Sequence, residues 1–189
     1  VGLEQNYMNI GHVLQSVGYK TGWVGKFHLQ GDNTLKGGLT ASEKTFLKNA
    51  DPNDPKATEL FQQEEQAFRD YIVNKGFSWA KHIYEGNLED PFKQHNLEWT
   101  IEAALEFIDS SAEAPFYLHF NTTLLHGPDG EWEKSMGFPQ YTGEGLVDGK
   151  LEADMPDRST VIDRIEANGY NLKENPAGIT WLDDGIRAV

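Results

Sequence analysis

The sequence contains no cysteine. Disulfides and thiolate-ligated metals are therefore excluded, while the compartment stays open. No apolar run approaches the roughly 20 residues that span a bilayer, so membrane insertion is not expected. The opening stretch "VGLEQNYMN" lacks the basic-then-apolar form of a signal peptide, which leaves localisation unassigned. Positive charge is also scarce: 16 Lys and Arg face 30 Asp and Glu, for a formal net charge of −14. Such a surface repels nucleic-acid phosphates and anionic lipid alike, and neither is an expected partner. An anionic small molecule has to be held by local cations working against that field.

Apolar material is sufficient: 38% hydrophobic and 12% aromatic residues over 189 positions can fill the interior of one domain. "MNIGHVLQSV" puts Ile10, Val13, Leu14 and Val17 on one helical face, and Gly18 closes it. "KTGWVG" then reads as a short buried strand from Lys20 to Gly25. "ATELFQQEEQAFRDYIVNKG" predicts a helix through Leu60, Phe61, Phe68, Tyr71 and Ile72 that stops at Gly76, with a strand following in "FSWAKHIYEG". Asn96 is a candidate cap for a helix with its stripe at Leu97, Ile101, Ala104, Leu105 and Ile108. "FYLHFN", Phe116 to Asn121, follows as a buried strand. Ser159 is predicted to cap a short helix. Asn175 and Pro176 should open a last one, with Ile179, Leu182, Ile186 and Val189 on one face. Residues 30–58 and 122–158 read as long loops. Repeated helix–turn–strand units are the grammar of an α/β fold, a mostly parallel sheet with flanking helices, here as one unit over 1–189.

Lys26 and His28 follow the first strand and would point the same way, because strand residues alternate between faces. His126 lies five residues beyond "FYLHFN", in "LLHGP". Open parallel sheets bind ligands at the carboxyl ends of their strands. The two strand ends could therefore bring Lys26, His28 and His126 to one crevice. A lysine supplies a point charge for an oxyanion, and a histidine donates a hydrogen bond or acts as a general acid. Taken singly, each is more simply a surface or turn residue.

Together with their surroundings they say more. "GYKTGWVGKFHL" resembles the second signature segment of the sulfatases, and "PFYLHFNTTLLHGP" is similar to that family's later strand and loop ending in histidine-x-proline. "IGHVLQSVGY" looks like the helix that precedes the signature, whereas 30–95 and 127–172 show no specific match. The resemblance implies an incomplete sulfatase-like, alkaline phosphatase-like domain whose parent is a sulfuric ester hydrolase. It implies a formylglycine nucleophile beside a divalent cation, usually calcium. It also implies roles. Lys26 would bind the sulfate and the nucleophile, His28 would hydrogen-bond the formylglycine hydrate, and His126 would contact the sulfate or protonate the leaving alcohol. Fixed donors of that kind stabilise charge building on the departing oxygen. The partner would be a small-molecule or glycan sulfate ester, and a periplasmic or secreted parent is compatible with the family.

The family's cysteine-x-proline-x-arginine motif, its serine counterpart and its metal-binding aspartates do not occur in this sequence. The expectation is thus an internal fragment, inactive alone, with the nucleophile and calcium ligands carried elsewhere in a longer product. An apolar stripe running to the last residue agrees with that expectation. Open sheet edges in such a piece favour self-association. Two alternatives stand beside it: a phosphatase or phosphonate monoester hydrolase of the same superfamily, and a non-catalytic binding or scaffold domain. Asp183 and Asp184 point about 100° apart on a helix and read as a solvated face, not as metal ligands. "DPNDP" lacks the spacing of an EF-hand loop. His12 is expected to face outward, His119 to be a hydrogen-bonded core histidine, and Asn121 opens a formal glycosylation sequon.

Overall fold

Three strands, β1 (Lys20–Lys26), β2 (Trp79–Tyr84) and β3 (Phe116–Asn121), form a parallel sheet in the order β2-β1-β3. They come from a computed structural model that describes residues 7–29, 35–126, 132–137, 139–147, 149, 151, 153–171 and 177–189. Parallel neighbours need long crossovers, and helices supply them. α1 (Ile10–Ser16) leads into β1; α2 (Ala41–Leu47) and α3 (Pro55–Asn74) lie between β1 and β2; α4 (Leu97–Ser110) joins β2 to β3. The chain is therefore α/β, with a parallel sheet and flanking helices. Central β1 is buried along most of its length, which accounts for apolar and small residues at consecutive positions in "TGWVG".

Local chemistry sets the helix starts. Asp54 accepts from the Lys56 amide and Pro55 occupies the first turn of α3, so that helix begins earlier than its apolar stripe. Thr40 and Glu43 form a reciprocal capping box that starts α2 inside the expected 30–58 loop. The expected 122–158 loop also carries structure: α5 (Trp132–Met136), an antiparallel hairpin of β4 (Gln140–Thr142) and β5 (Gly145–Val147), and a 3-10 turn Arg158–Thr160. Three-residue strands are too short to show alternation. The hairpin is held from a distance, by Gln94 accepting from the Tyr141 amide (3.0 Å) and donating to Pro139 O (2.8 Å).

Asp157, not Ser159, caps the turn that leads into α6 (Val161–Ala167), since its Oδ1 accepts the Ser159 amide. Asn96 precedes α4 but makes no side-chain cap. Its amide nitrogen donates to Tyr141 O, and its oxygen accepts from Arg158. The Arg158 guanidinium is buried, forks onto Glu98, donates to Ser135 O and lies over the Trp181 ring; Trp181 Nε1 also donates to Glu98. A buried ion pair this fully hydrogen-bonded specifies one arrangement of α4, α5 and α7 (Ala177–Ala188).

Two apolar stripes do not face the core. In α7 the buried side is Ala177, Gly178, Trp181, Asp184 and Gly185, while Ile179, Ile186 and Val189 are exposed. Trp181 and the small residues decide the docking face, because only they let α7 approach α4 closely; a Cβ on Gly185 would come within 2.6 Å of Leu97. Asp184 is correspondingly buried and paired with Arg164, which overturns its reading as part of a solvated face. In α1, Ile10, Val13 and Val17 are exposed and Gly11 is the buried residue, packed against Gly76 O. His12 is half-buried rather than outward, as the partner of Asn9 in a capping box. β3, an outer strand of the sheet among the described residues, is half-buried along most of its length rather than buried. Asn175 and Pro176 lie outside the described residues. No helix among the described residues is long and apolar enough to cross a membrane.

Candidate functional site

The carboxyl ends of the three strands are level. Lys26 is opposite Tyr84 of β2, and Gly25 is opposite Asn121 of β3. Gly25 makes that alignment possible. Its φ of 85° is in the left-handed region, and a Cβ there would sit 1.9 Å from Asn121 O. Asn121 Nδ2 donates to Lys26 O (3.0 Å), locking the end of β1 to β3, while the Phe27 amide donates to Tyr84 O (2.7 Å) and locks it to β2. Phe27 is buried. Its neighbours Lys26 and His28 face the other way, into a cleft of about 910 Å3.

His126 lines the same cleft. It follows Leu125, whose left-handed φ of 63° is rare for a leucine and reverses the chain after β3. The segment before it is fastened by the Thr122 hydroxyl accepting the Leu124 amide (3.0 Å) and by His95 against Thr123 (3.0 Å). The Lys26 ammonium donates to Asn87 Oδ1 (3.2 Å), and Asn87 Nδ2 reaches Thr123 O (3.4 Å), so one amide bridges all three strand ends. Burial holds the Lys26 ammonium below its usual range, the direction expected where water is withdrawn from a cation. His119, by contrast, is away from this edge. Its ring packs at a tilt against Trp23, with centroids 4.0 Å apart, and its Nδ1 meets Tyr117 OH at 2.9 Å.

Nothing in the composition singled out the rest of the cleft. Lys44 pairs with Glu64 (3.2 Å) and Glu85 (3.2 Å), and Lys48 with Glu89 (4.0 Å). The two carboxylates raise Lys44 despite its burial, while burial raises Glu64 more than Lys44 lowers it. Half-buried Phe61 and Leu88 provide an apolar strip. Asn87 and Glu85 follow β2 directly. Their signal was available in principle, since a third parallel strand must end at the same edge as the other two.

No protein-family model matches the chain, and no curated protein matches it. Function therefore rests on the donor set. One ammonium and two imidazoles at neighbouring strand tips suit a small oxyanion. They do not suit a hard divalent cation such as calcium, which takes six to eight oxygens. Among the described residues no three His, Asp or Glu side chains gather as a metal centre. A calcium ion does not fit the set of Lys26, His28 and His126.

Proposed function

We propose that the chain is part of a sulfatase and holds the sulfate-gripping side of its active site. The observation that carries the reading is the convergence of Lys26, His28 and His126 on one cleft at the carboxyl edge of a parallel sheet. In this reading the desolvated Lys26 ammonium binds the sulfuryl oxygens, oriented by Asn87. A cation already stripped of part of its water gives up less on meeting an anion, and attracts it through a lower local dielectric. His28 hydrogen-bonds the formylglycine hydrate, and His126, which follows the turn at Leu125, contacts the sulfate or passes a proton to the ester oxygen as its bond to sulfur breaks. The formylglycine nucleophile and divalent cation belong to other parts of a longer product.

Titration of the protein with inorganic sulfate, followed by heat or by lysine side-chain NMR, tests the grip. Saturable binding is expected, weakened about tenfold or more in Lys26→Ala, as for loss of one charge-assisted hydrogen bond. Binding that is unchanged in Lys26→Ala removes the proposed role of this residue.

A further inference from the structure

A second cavity lies away from the strand tips and shares none of its described lining residues with the cleft there. It holds about 510 Å3, within the range that takes a small organic molecule. Its walls come from the start of α4 at Glu98, the end of α5 at Met136, the start of β4 at Gln140 and the stretch leading into the Arg158–Thr160 turn. Gln140 is only 2% exposed, and its Oε1 has no hydrogen-bond partner among the described residues. A buried acceptor in that state is destabilising, and a ligand that brings a donor relieves it.

The charged lining residues decide the sign of that ligand. Arg158 has five N–H donors, and four of them already serve Glu98 (twice), Asn96 and Ser135. An anion therefore meets a cation that the fold has engaged. The other charged side chains of the wall, Asp154 and Asp157, are acidic, so three carboxylates line the cavity against one guanidinium. A net charge of −14, which works against an anion at the strand tips, favours a cation here. An ammonium group brings three donors, enough for the Gln140 oxygen and a carboxylate together. Met136 and Met155 set the body of the ligand, because thioether sulfur makes favourable contacts with aromatic rings and methionine adapts to their shape.

We infer that this cavity binds a small aromatic amine, with its ammonium on Gln140 Oε1 and toward Asp154 and Asp157, and its ring against Met136 and Met155. Nothing in it depends on the sulfate reading. Calorimetric titration of the intact protein with tryptamine, tryptophol, indole-3-propionate and hexylamine tests it. Tryptamine is expected to bind saturably, about fivefold tighter than the neutral tryptophol and tenfold or more tighter than the anionic indole-3-propionate. Hexylamine, which keeps the charge and loses the ring, should also be weaker than tryptamine. Gln140→Met should weaken tryptamine about tenfold while its urea midpoint stays at or above the parent's, since an apolar near-isostere needs no donor. Asp154→Asn, at an exposed position, should shrink the lead of tryptamine over tryptophol and leave tryptophol itself unchanged. Inorganic sulfate should not compete. No saturable binding of tryptamine, equal binding of the three indoles, or tighter binding of the propionate overturns the inference. So does tryptamine affinity that is unchanged in Gln140→Met, or tighter binding of hexylamine.

Discussion

The Glu65 carboxyl is buried on α3, where its Oε1 accepts the Ile83 amide of β2 (3.2 Å); burial, with Glu144 nearby, pushes it up to about 7. Next to that amide is His82, at a left-handed φ of 53°, where β2 slips register against β1 between Val24 and Gly25. Burial pushes the His82 imidazole down to about 4, so it is neutral near pH 7 and its 3.9 Å approach to Glu144 is no ion pair there. The two residues pull stability in opposite directions. Folded Glu65 keeps a proton that the unfolded chain releases between pH 4.5 and about 7, so its contribution falls as pH rises through that window. Folded His82 lacks a proton that the unfolded chain holds between about 4 and 6.5, so its contribution rises there. Over their common range the slopes offset each other. Replacing Glu65 by Gln keeps an acceptor for Ile83 and removes one slope. Urea unfolding at pH 5, 6 and 7 should show the stability of the parent relative to Glu65→Gln falling with pH, by at most about 1.4 kcal/mol per unit. A difference that stays constant from pH 5 to 7 contradicts the buried acid. Lys26 and His28 were legible in sequence because strand alternation is local. Glu65 was not, since Glu64 and Glu65 are adjacent and only the packing of α3 on β2 makes one a rim residue and the other a buried one.

Within elements, glycine marks where β1 has to come close to its neighbour. Gly18 and Gly25 both have positive φ, 90° and 85°, yet their surroundings differ. Around Gly18 nothing lies within 4 Å of an added Cβ, whereas at Gly25 it would overlap Asn121 O. Gly18→Ala should therefore cost about 1–2 kcal/mol, the backbone penalty alone. Gly25→Ala adds a collision with backbone that can be relieved only by parting β1 from β3, and a loss above about 3 kcal/mol is expected. Thermal melting of both variants gives the ranking, and equal losses would show that the tip of β1 is not held as tightly as described. Helix positions were mostly legible from their apolar period, but α1 and α7 show its limit. Period reports that a helix has two unlike faces. In both helices the buried side turned out to be chosen by glycines and, in α7, by Trp181, where close approach outweighs the bulk of Ile10, Val13, Ile179 or Ile186. The β4–β5 hairpin had no local signal, being fastened by Gln94 and Asn96 from the far side of the sequence.

At the scale of the molecule, the α/β class with a parallel sheet was legible because each strand follows a helix with its own apolar stripe. The two outer strands of the sheet differ in a way no such pattern carries. On β2, α3 covers the outer polar groups: Arg69 Nε donates to Ala80 O (3.1 Å) and Glu65 accepts the Ile83 amide. Among the described residues β3 pairs on one side, with β1, and it is half-buried over Tyr117–Asn121 with Phe116 exposed. It has no Pro, Lys or bulge, the features that keep an edge from accepting another strand. Opposing that tendency is a net charge of −14 on every copy. Repulsion of this kind reaches ~30 Å at 0.01 M salt and only ~8 Å at 0.15 M, whereas strand pairing and apolar contact are insensitive to screening. Self-association should therefore increase with salt, the reverse of an assembly held by ion pairs. Sedimentation velocity across that salt range reads it directly. Phe116→Lys, which sets a charge on the edge at an exposed position, should return the high-salt sample toward monomer. Association that weakens with salt, or is unchanged by the lysine, would place the contact somewhere other than β3.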